Sequence, residues 1–291
     1  MKKLFCALII LALITGTAGS LEKQVIKLGM LTKLNSTEEQ FAETWQKTFA
    51  PHNEILEVIV KFYDTLTSMQ MALNAREINQ MVLPDFTADY LMNAANEYTP
   101  ALVLHSQGTG LAFGFRSDNE ELRDSFNEAL KNLRDSWKLS VLEGIYIASK
   151  NSEPEPVKFA KFDGADTIRV AVTGDLPPID LIAADGSPAG FNTAVLAEIG
   201  AYLKKNIQLV NVEAGARNAA LASGRVDAVF WYEIDKSSES QADVPDGVIL
   251  SEPYYEWDKF VHVKHKTKEA KSSGGWNIFN RDFWNLYIKD E

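Results

Sequence analysis

From Val25 onward, short apolar runs alternate with stretches of helical periodicity. "VIKLGML" (25–31) predicts a buried strand and "STEEQFAETWQKTF" (36–49) a helix. Ser36 with Glu39 three residues on has the spacing of a capping box. "EVIVKFY" (57–63) and "INQMVL" (78–83) predict further strands, and "SMQMALNA" (68–75) and "TADYLMNAANEY" (87–98) further helices. "GLAFGFRSD" (110–118) predicts a strand with a polar exit, leading into an amphipathic helix over 119–137. Residues 149–166 are polar, contain two prolines and hold no period, so they predict a linker. The rhythm then restarts. It gives a strand at 167–173, turns over 176–190, a helix at 191–205, a strand at 207–212, a short helix at 216–223 and a strand at 226–232. Strand-helix alternation of this kind implies parallel pairing in layered α/β domains. The phrase "ALASGRVDAVFWYE" (220–233) has a weaker echo in "ALNAREINQMVLPD" (72–85), which suggests two related halves.

The first twenty residues break this pattern. Lys2 and Lys3, an apolar run over 4–14 and a small-residue close make a cleavable export signal, with a cut after Ser20 or Ala18. The run is short for a membrane span. The one cysteine, Cys6, lies inside it, so the mature chain is expected to have no disulfide. Losing Lys2 and Lys3 takes the formal charge from −11 to −13, and an acidic surface of that size argues against nucleic acid as a partner. The remaining ~270 residues suit two domains of ordinary size.

The second half resembles the extracellular solute-binding proteins of family 3, the periplasmic receptors of amino-acid uptake transporters. "IRVAVTGDLPPIDLIAADGSPAGFNTAVLAEIGAYL" resembles that family's opening strand, Pro-Pro turn, Asp-Gly turn and helix start. "AALASGRVDAVFW" and "SEPYY" resemble two later segments in the same order. "VKFYDTLTSMQMALNAREINQMVLPDFTADYL" and "GLAFGFRSDNEELRDSFNEALKNLRDSWKLSVLEGIYI" are similar to parts of the other lobe and to its closing helices. The resemblance implies an α/β, two-lobed periplasmic binding protein fold (type II), with the lobes in circularly permuted order. The expected division is a signal at 1–20, one lobe at 21–104, a return strand and helices at 105–148, a linker at 149–166, the other lobe at 167–263, and an aromatic-rich tail or crossover at 264–291, its aromatics packing against the first lobe.

In open α/β sheets ligands bind beyond the carboxyl ends of the strands. That places Trp231, Tyr232 and Glu233 at a cleft wall, although aromatics at a strand end often only cap a core. The arginine that the family uses for a ligand carboxylate maps near Glu239, and its ammonium-binding aspartate maps to Pro84, with Asp85 adjacent. The aromatic after the proline pair is replaced by Ile179. Arg217, in the first turn of a short helix, could hold an anion. Asp175 is the acid best placed to face the cleft, with turn capping as its ordinary role. Asn35, Ser36 and Thr37 sit at a helix start, where capping alone accounts for them. Trp231, Tyr232, Glu233, Asp85 and Asp175 together would suit a cation. Asp227 and Asn79, echoed at the two third strands, are expected to hydrogen-bond structurally.

No P-loop, HExxH or nucleophile elbow occurs, and His52, His105, His262 and His265 do not make a metal pattern. No cofactor is expected. The sequence thus predicts a periplasmic, monomeric receptor that passes a small-molecule ligand to a membrane ABC permease. The alternatives are a dehydratase of the same fold, with Asp175 or Glu233 as general acid, and a sensor acting through a membrane receptor.

Overall fold

A computed structural model describes residues 24–34, 36–49, 56–149, 154–183, 185–235 and 244–266. The proposed signal, Asn35, Glu239 and most of the tail 264–291 lie outside the described residues. In the first half β1 (Gln24–Leu31), β2 (Leu56–Tyr63) and β3 (Gln80–Pro84) alternate with α1 (Glu38–Phe49), α2 (Leu66–Asn74) and α3 (Asp85–Ala94). β4 (Tyr98–Arg116) leads to α4 (Glu120–Asp135) and α5 (Lys138–Tyr146). The second half holds β5 (Thr167–Val172), a small sheet of β6 (Asp175–Leu176), β7 (Asp180–Ile182) and β8 (Pro188–Ala189), then α6 (Phe191–Leu203) and β9 (Asn206–Asn211). A 3-10 turn at Ala214–Ala216 leads into α7 (Arg217–Ala222), followed by β10 (Ala228–Asp235), β11 (Val248–Leu250) and β12 (Tyr255–His265).

The nine-stranded sheet runs β2-β1-β3-β12-β4-β10-β5-β9, with β11 on β4. It reads as two lobes of the same strand order. One is β2-β1-β3-β12-β4 and the other β9-β5-β10-β4-β11, each with parallel strands followed by antiparallel returns. β4 and β12 serve both: residues 98–105 of β4 pair with the later part of β12, and residues 109–116 pair with β10 and β11. Because both lobes have one order, exchanging which comes first leaves the topology unchanged.

The expected strand at 110–118 is the second part of this long β4. The polar stretch "HSQGTG" carries no strand signal, yet it is held extended because β12 supplies partners on its flank. For the same reason Trp231, Tyr232 and Glu233 are not loop residues beyond a strand end. β10 continues through them, past an irregularity between Val229 and Tyr232, paired with β4 at Tyr232↔Ala112 and Glu233↔Leu111.

Cores lie on both faces. Helix α6 is apolar nearly all round, with Phe191 to Leu196 and Ile199 buried, as expected of a helix covered on several sides. It is covered by α4 and α5, which come from the first half of the chain. Phe126 of α4 is fully buried and meets Phe113 and Phe115 edge-on, at ring-centroid distances of 5.2 and 5.0 Å. The edge strand β2 is covered by side chains of α1. Gln46 donates to Leu56 O (2.7 Å) and accepts from Val58 N (2.9 Å), and Glu38 accepts from Phe62 N (2.7 Å). An open row of backbone groups is thereby closed. The linker is not free of the fold, since Val157 N donates to Pro188 O and Pro156 bridges Ala189.

Asn79 and Asp227 perform the same task in the two lobes. Each stands just before its third parallel strand and pairs with one residue of the first strand. Asn79 N donates to Lys27 O and Lys27 N to Asn79 Oδ1. Asp227 N donates to Arg169 O, while Arg169 gives its backbone N–H and two guanidinium N–H groups to the carboxylate. Burial alone would push the Asp227 carboxyl up, but these bonds hold it below its ordinary value.

Candidate functional site

The parallel strands of both lobes end toward one another. On one side β1 leads to Thr32 and Lys33, and β2 to Asp64. On the other, Asp175 follows β5, Gly215 and Arg217 follow β9, and Glu233 lies on β10. Asp64 Oδ1 accepts from Thr32 Oγ1 (2.8 Å) and lies 3.6 Å from where a Cβ on Gly215 would stand. Leu34 packs against the core that includes Val212, Leu221 and Tyr232.

Among the described residues, polar contacts span the lobes at two points. Thr67 N and Oγ1 donate to the Asp175 carboxylate at 2.9 and 3.0 Å. Thr67 belongs to the first turn of α2, whose N-cap is Thr65. Asp175 therefore caps a helix of the opposite lobe, where a negative charge also meets the positive helix end. The other contact is an ion pair between Lys33 Nζ and Glu233 Oε2, with side chains only 13% and 15% exposed.

Arg217 is buried. Its guanidinium donates to Trp231 O (3.3 Å) and its Cζ lies 4.6 Å from the Trp231 ring centroid and 5.2 Å from that of Tyr232. The aromatic faces expected to receive a ligand cation are thus taken by an internal one. Tyr232 is fully buried, its hydroxyl donating to Asn218 Oδ1, and its ring lies against Gly114, where an added Cβ would come within 2.1 Å of Cε2. Trp231 is also buried in the main core. A cavity of about 10 Å³, the size of one water, lies at these strand ends between Thr173, Val212, Arg217 and Trp231. A larger one, of about 330 Å³, lies between Arg116, Asn218, Leu221 and Val248. It is at the end of β4 and the start of β11, away from the facing ends.

The other expected residues are placed as follows. Ile179 is buried in a turn; its carbonyl accepts from Asn192 N, and its backbone passes within 2.7 Å of where a Cβ on Gly190 (φ 104°) would be. It does not line the facing ends. Asp85 opens α3 and accepts from Phe86 N; burial pushes its carboxyl up, against that bond and nearby Lys259. Lys259 belongs to β12, so Asp85 sits beside the crossing strands. The capping box is Thr37 with Gln40, one residue on from the expected pair. Gln40 N donates to Thr37 Oγ1 and Thr37 N to Gln40 Oε1. The helix starts at Glu38, which makes Thr37 the N-cap. Ser36 lies on the connection just before it. His262 lies on β12, buried, with Nδ1 2.8 Å from Gln80 Oε1, and burial pushes its pKa down to about 3. His265 pairs with Asn74 Oδ1. Among the described residues no group of His, Cys, Asp and Glu could hold a metal, and no helix is long and apolar enough to cross a membrane.

On the β1–α1 connection the expected residues are Asn35, Ser36 and Thr37, whereas the cross-lobe contact is made by Lys33. Thr67 and Asp64 are likewise absent from the residues expected at the site. A lone lysine or threonine after a strand carries no local signal; only its partner in the other lobe, 200 or 108 residues away in sequence, gives it meaning.

Residues 168–280 match the family model of bacterial extracellular solute-binding proteins, family 3. That stretch is less than half of the chain, and the likeness to the family is a statement about those residues. Among proteins of curated function, no sequence matches the chain. Solved structures with a distant likeness include the ligand-binding component of an ABC-type import system from Staphylococcus aureus with zinc bound, at 11% identity and TM-score 0.43, covering 83% of this chain and 66% of that one. The chain thus spans slightly under two thirds of that protein. The methionine-binding protein MetQ has 14% identity and TM-score 0.41, covering 83% of each chain. The periplasmic aliphatic sulphonate-binding protein SsuA from Escherichia coli has 12% identity and TM-score 0.39, covering 83% of this chain and 65% of that one. Likenesses this distant bear no weight for the ligand.

Proposed function

We propose that this chain is the exported solute-binding component of an ABC import system, holding a small polar ligand, an amino acid or a related compound, between its two lobes. The observation that carries this reading is the pair of polar contacts across the facing strand ends, Asp175 with Thr67 and Lys33 with Glu233. Groups of both lobes meet along the facing strand ends, so a ligand between them would be gripped from two sides and its binding coupled to closure. The role needs no bond-breaking group, and transfer to a membrane permease would follow from recognition of the closed form. The permuted order of lobes belongs to the same proposal. It is supported by the packing of α4 and α5, from the first half, on α6 of the lobe that matches the family.

Thermal unfolding and calorimetry against amino acids, polyamines, small carboxylates and sulphonates test it. A compound held at ~1,000 times its dissociation constant adds about 4 kcal/mol, which moves the midpoint by roughly 8–16 °C for a chain of this size. No response to any of these classes would defeat the proposal. Turnover of an arogenate-like or prephenate-like acid would favour the dehydratase alternative.

A further inference from the structure

We infer that Glu233 is the anchor for a cationic group of the ligand, and that Lys33 holds that place until the ligand arrives. This rests on the reading of the facing strand ends as the binding site. A carboxylate only 15% exposed needs a positive partner, because an uncompensated charge there is costly. That partner is Lys33, which comes from the other lobe. The two members of the pair are not equally fixed. Glu233 stands in β10, its backbone laddered to β4 opposite Leu111. Lys33 stands on the connection between β1 and α1, at the end of four rotatable side-chain bonds. When a third charged group enters, the lysine can swing away and the carboxylate cannot.

The neighbouring charges point to the same group. Asp175 is engaged by two donors of Thr67 in the first turn of α2, so releasing it would leave an N–H of that turn without its acceptor. Arg217 is packed over Trp231 and Tyr232 inside its own lobe. Lys33–Glu233 is therefore the cross-lobe contact that can exchange a partner without breaking a ladder, a cap or a core. The ligand class follows: small compounds with an ammonium or guanidinium group, which replace the Lys33 ammonium one for one. An anion would have to dislodge the strand-held member. Lys33 also competes with the ligand, so the apparent affinity is lower than that of the vacant anchor.

The test uses the full chain, the Lys33→Ala and Glu233→Gln variants and the double variant, with Lys33→Met as a second deletion that keeps most of the side-chain stem. The probe is propylammonium chloride, with potassium chloride at equal ionic strength as control. At ~100 mM, propylammonium is expected to raise the unfolding midpoint of K33A and K33M by about 2–4 °C over the control. The wild type should rise less, and variants carrying E233Q not at all. In a parallel screen of L-arginine, L-lysine, putrescine, glutamate and succinate, any cationic hit should bind K33A about ten-fold tighter than wild type and be lost in E233Q. No response of either lysine variant beyond the control overturns the inference. So does an anionic hit that weakens in K33A and ignores E233Q; that hit would leave the solute-binding reading standing. Rescue by propylammonium with no hit on the wild type would do the reverse, keeping the anchor and removing the amino-acid-type ligand.

Discussion

Replacing His262 by glutamine isolates one titration inside the first lobe. His262 is 1% exposed, its ring meets Trp45 edge-on at 5.0 Å, and Gln80 Oε1 lies 2.8 Å from Nδ1. An oxygen can only accept, so Nδ1 carries the proton in the neutral ring. Burial lowers the folded pKa from the ordinary 6.5 to about 3. Between those values the unfolded chain binds a proton that the native chain refuses. Stability from this residue is therefore complete above pH 6.5 and falls as the pH drops, at about 1.4 kcal/mol per pH unit. At about pH 5 the loss is about 2 kcal/mol, and it deepens toward about pH 3. Asp180 and Asp85 act in the opposite sense. Burial raises both carboxyls, so they favour the native state in acid and lose that contribution as the pH rises above the unfolded carboxylate range. The wild-type curve mixes these effects, whereas the difference between wild type and His262→Gln does not. Glutamine keeps a donor for Gln80 and cannot titrate. Urea unfolding of both proteins at about pH 7.5 and about pH 5 should show the wild type losing about 2 kcal/mol more than the variant across that interval. Equal losses would mean that the imidazole is protonated or solvated in the native chain, and the buried neutral histidine would be refuted.

Gly114→Ala would force a Cβ to within 2.1 Å of the Tyr232 ring, and chemical unfolding should register a loss of about 1–3 kcal/mol. Pairing it with Tyr232→Ala should give less than the sum of the two single costs, since one clash is shared. Phe126→Ala removes a fully buried ring lodged between Phe113 and Phe115 and should cost about 3–5 kcal/mol. If α4 did not belong to that lobe, the cost would be near that of an exposed position. Asp175→Ala removes both bonds to Thr67, and small-angle scattering should record a larger radius of gyration as the lobes separate. An unchanged radius together with unchanged stability would show that this contact does not hold the lobes.

Local patterning went far in some places. Helix α4 was legible because its apolar positions recur at helical spacing, and its bounds, Glu120–Asp135, fall within the expected 119–137. Asn79 and Asp227 were legible because two copies of one phrase put a polar residue at the same step. The turns expected over 176–190 became a small sheet that includes Asp180, its carboxylate accepting from Thr173 N and Oγ1. In that place turn residues and strand residues are the same ones.

By itself the sequence determined the alternation of strands and helices and the doubling of that pattern, since periodicity and turn chemistry act within a dozen residues. The tertiary structure decided everything that depends on a distant partner. β4 became one strand of 19 residues because β12, β10 and β11 offered ladders along it. Trp231 and Tyr232 became core because β4 extended their strand and Arg217 took their faces. Lys33 acquired a role because folding brought Glu233 across 200 residues of chain to meet it. A side chain's chemistry is written at its own position, but the charge it must satisfy belongs to the neighbour that the fold supplies.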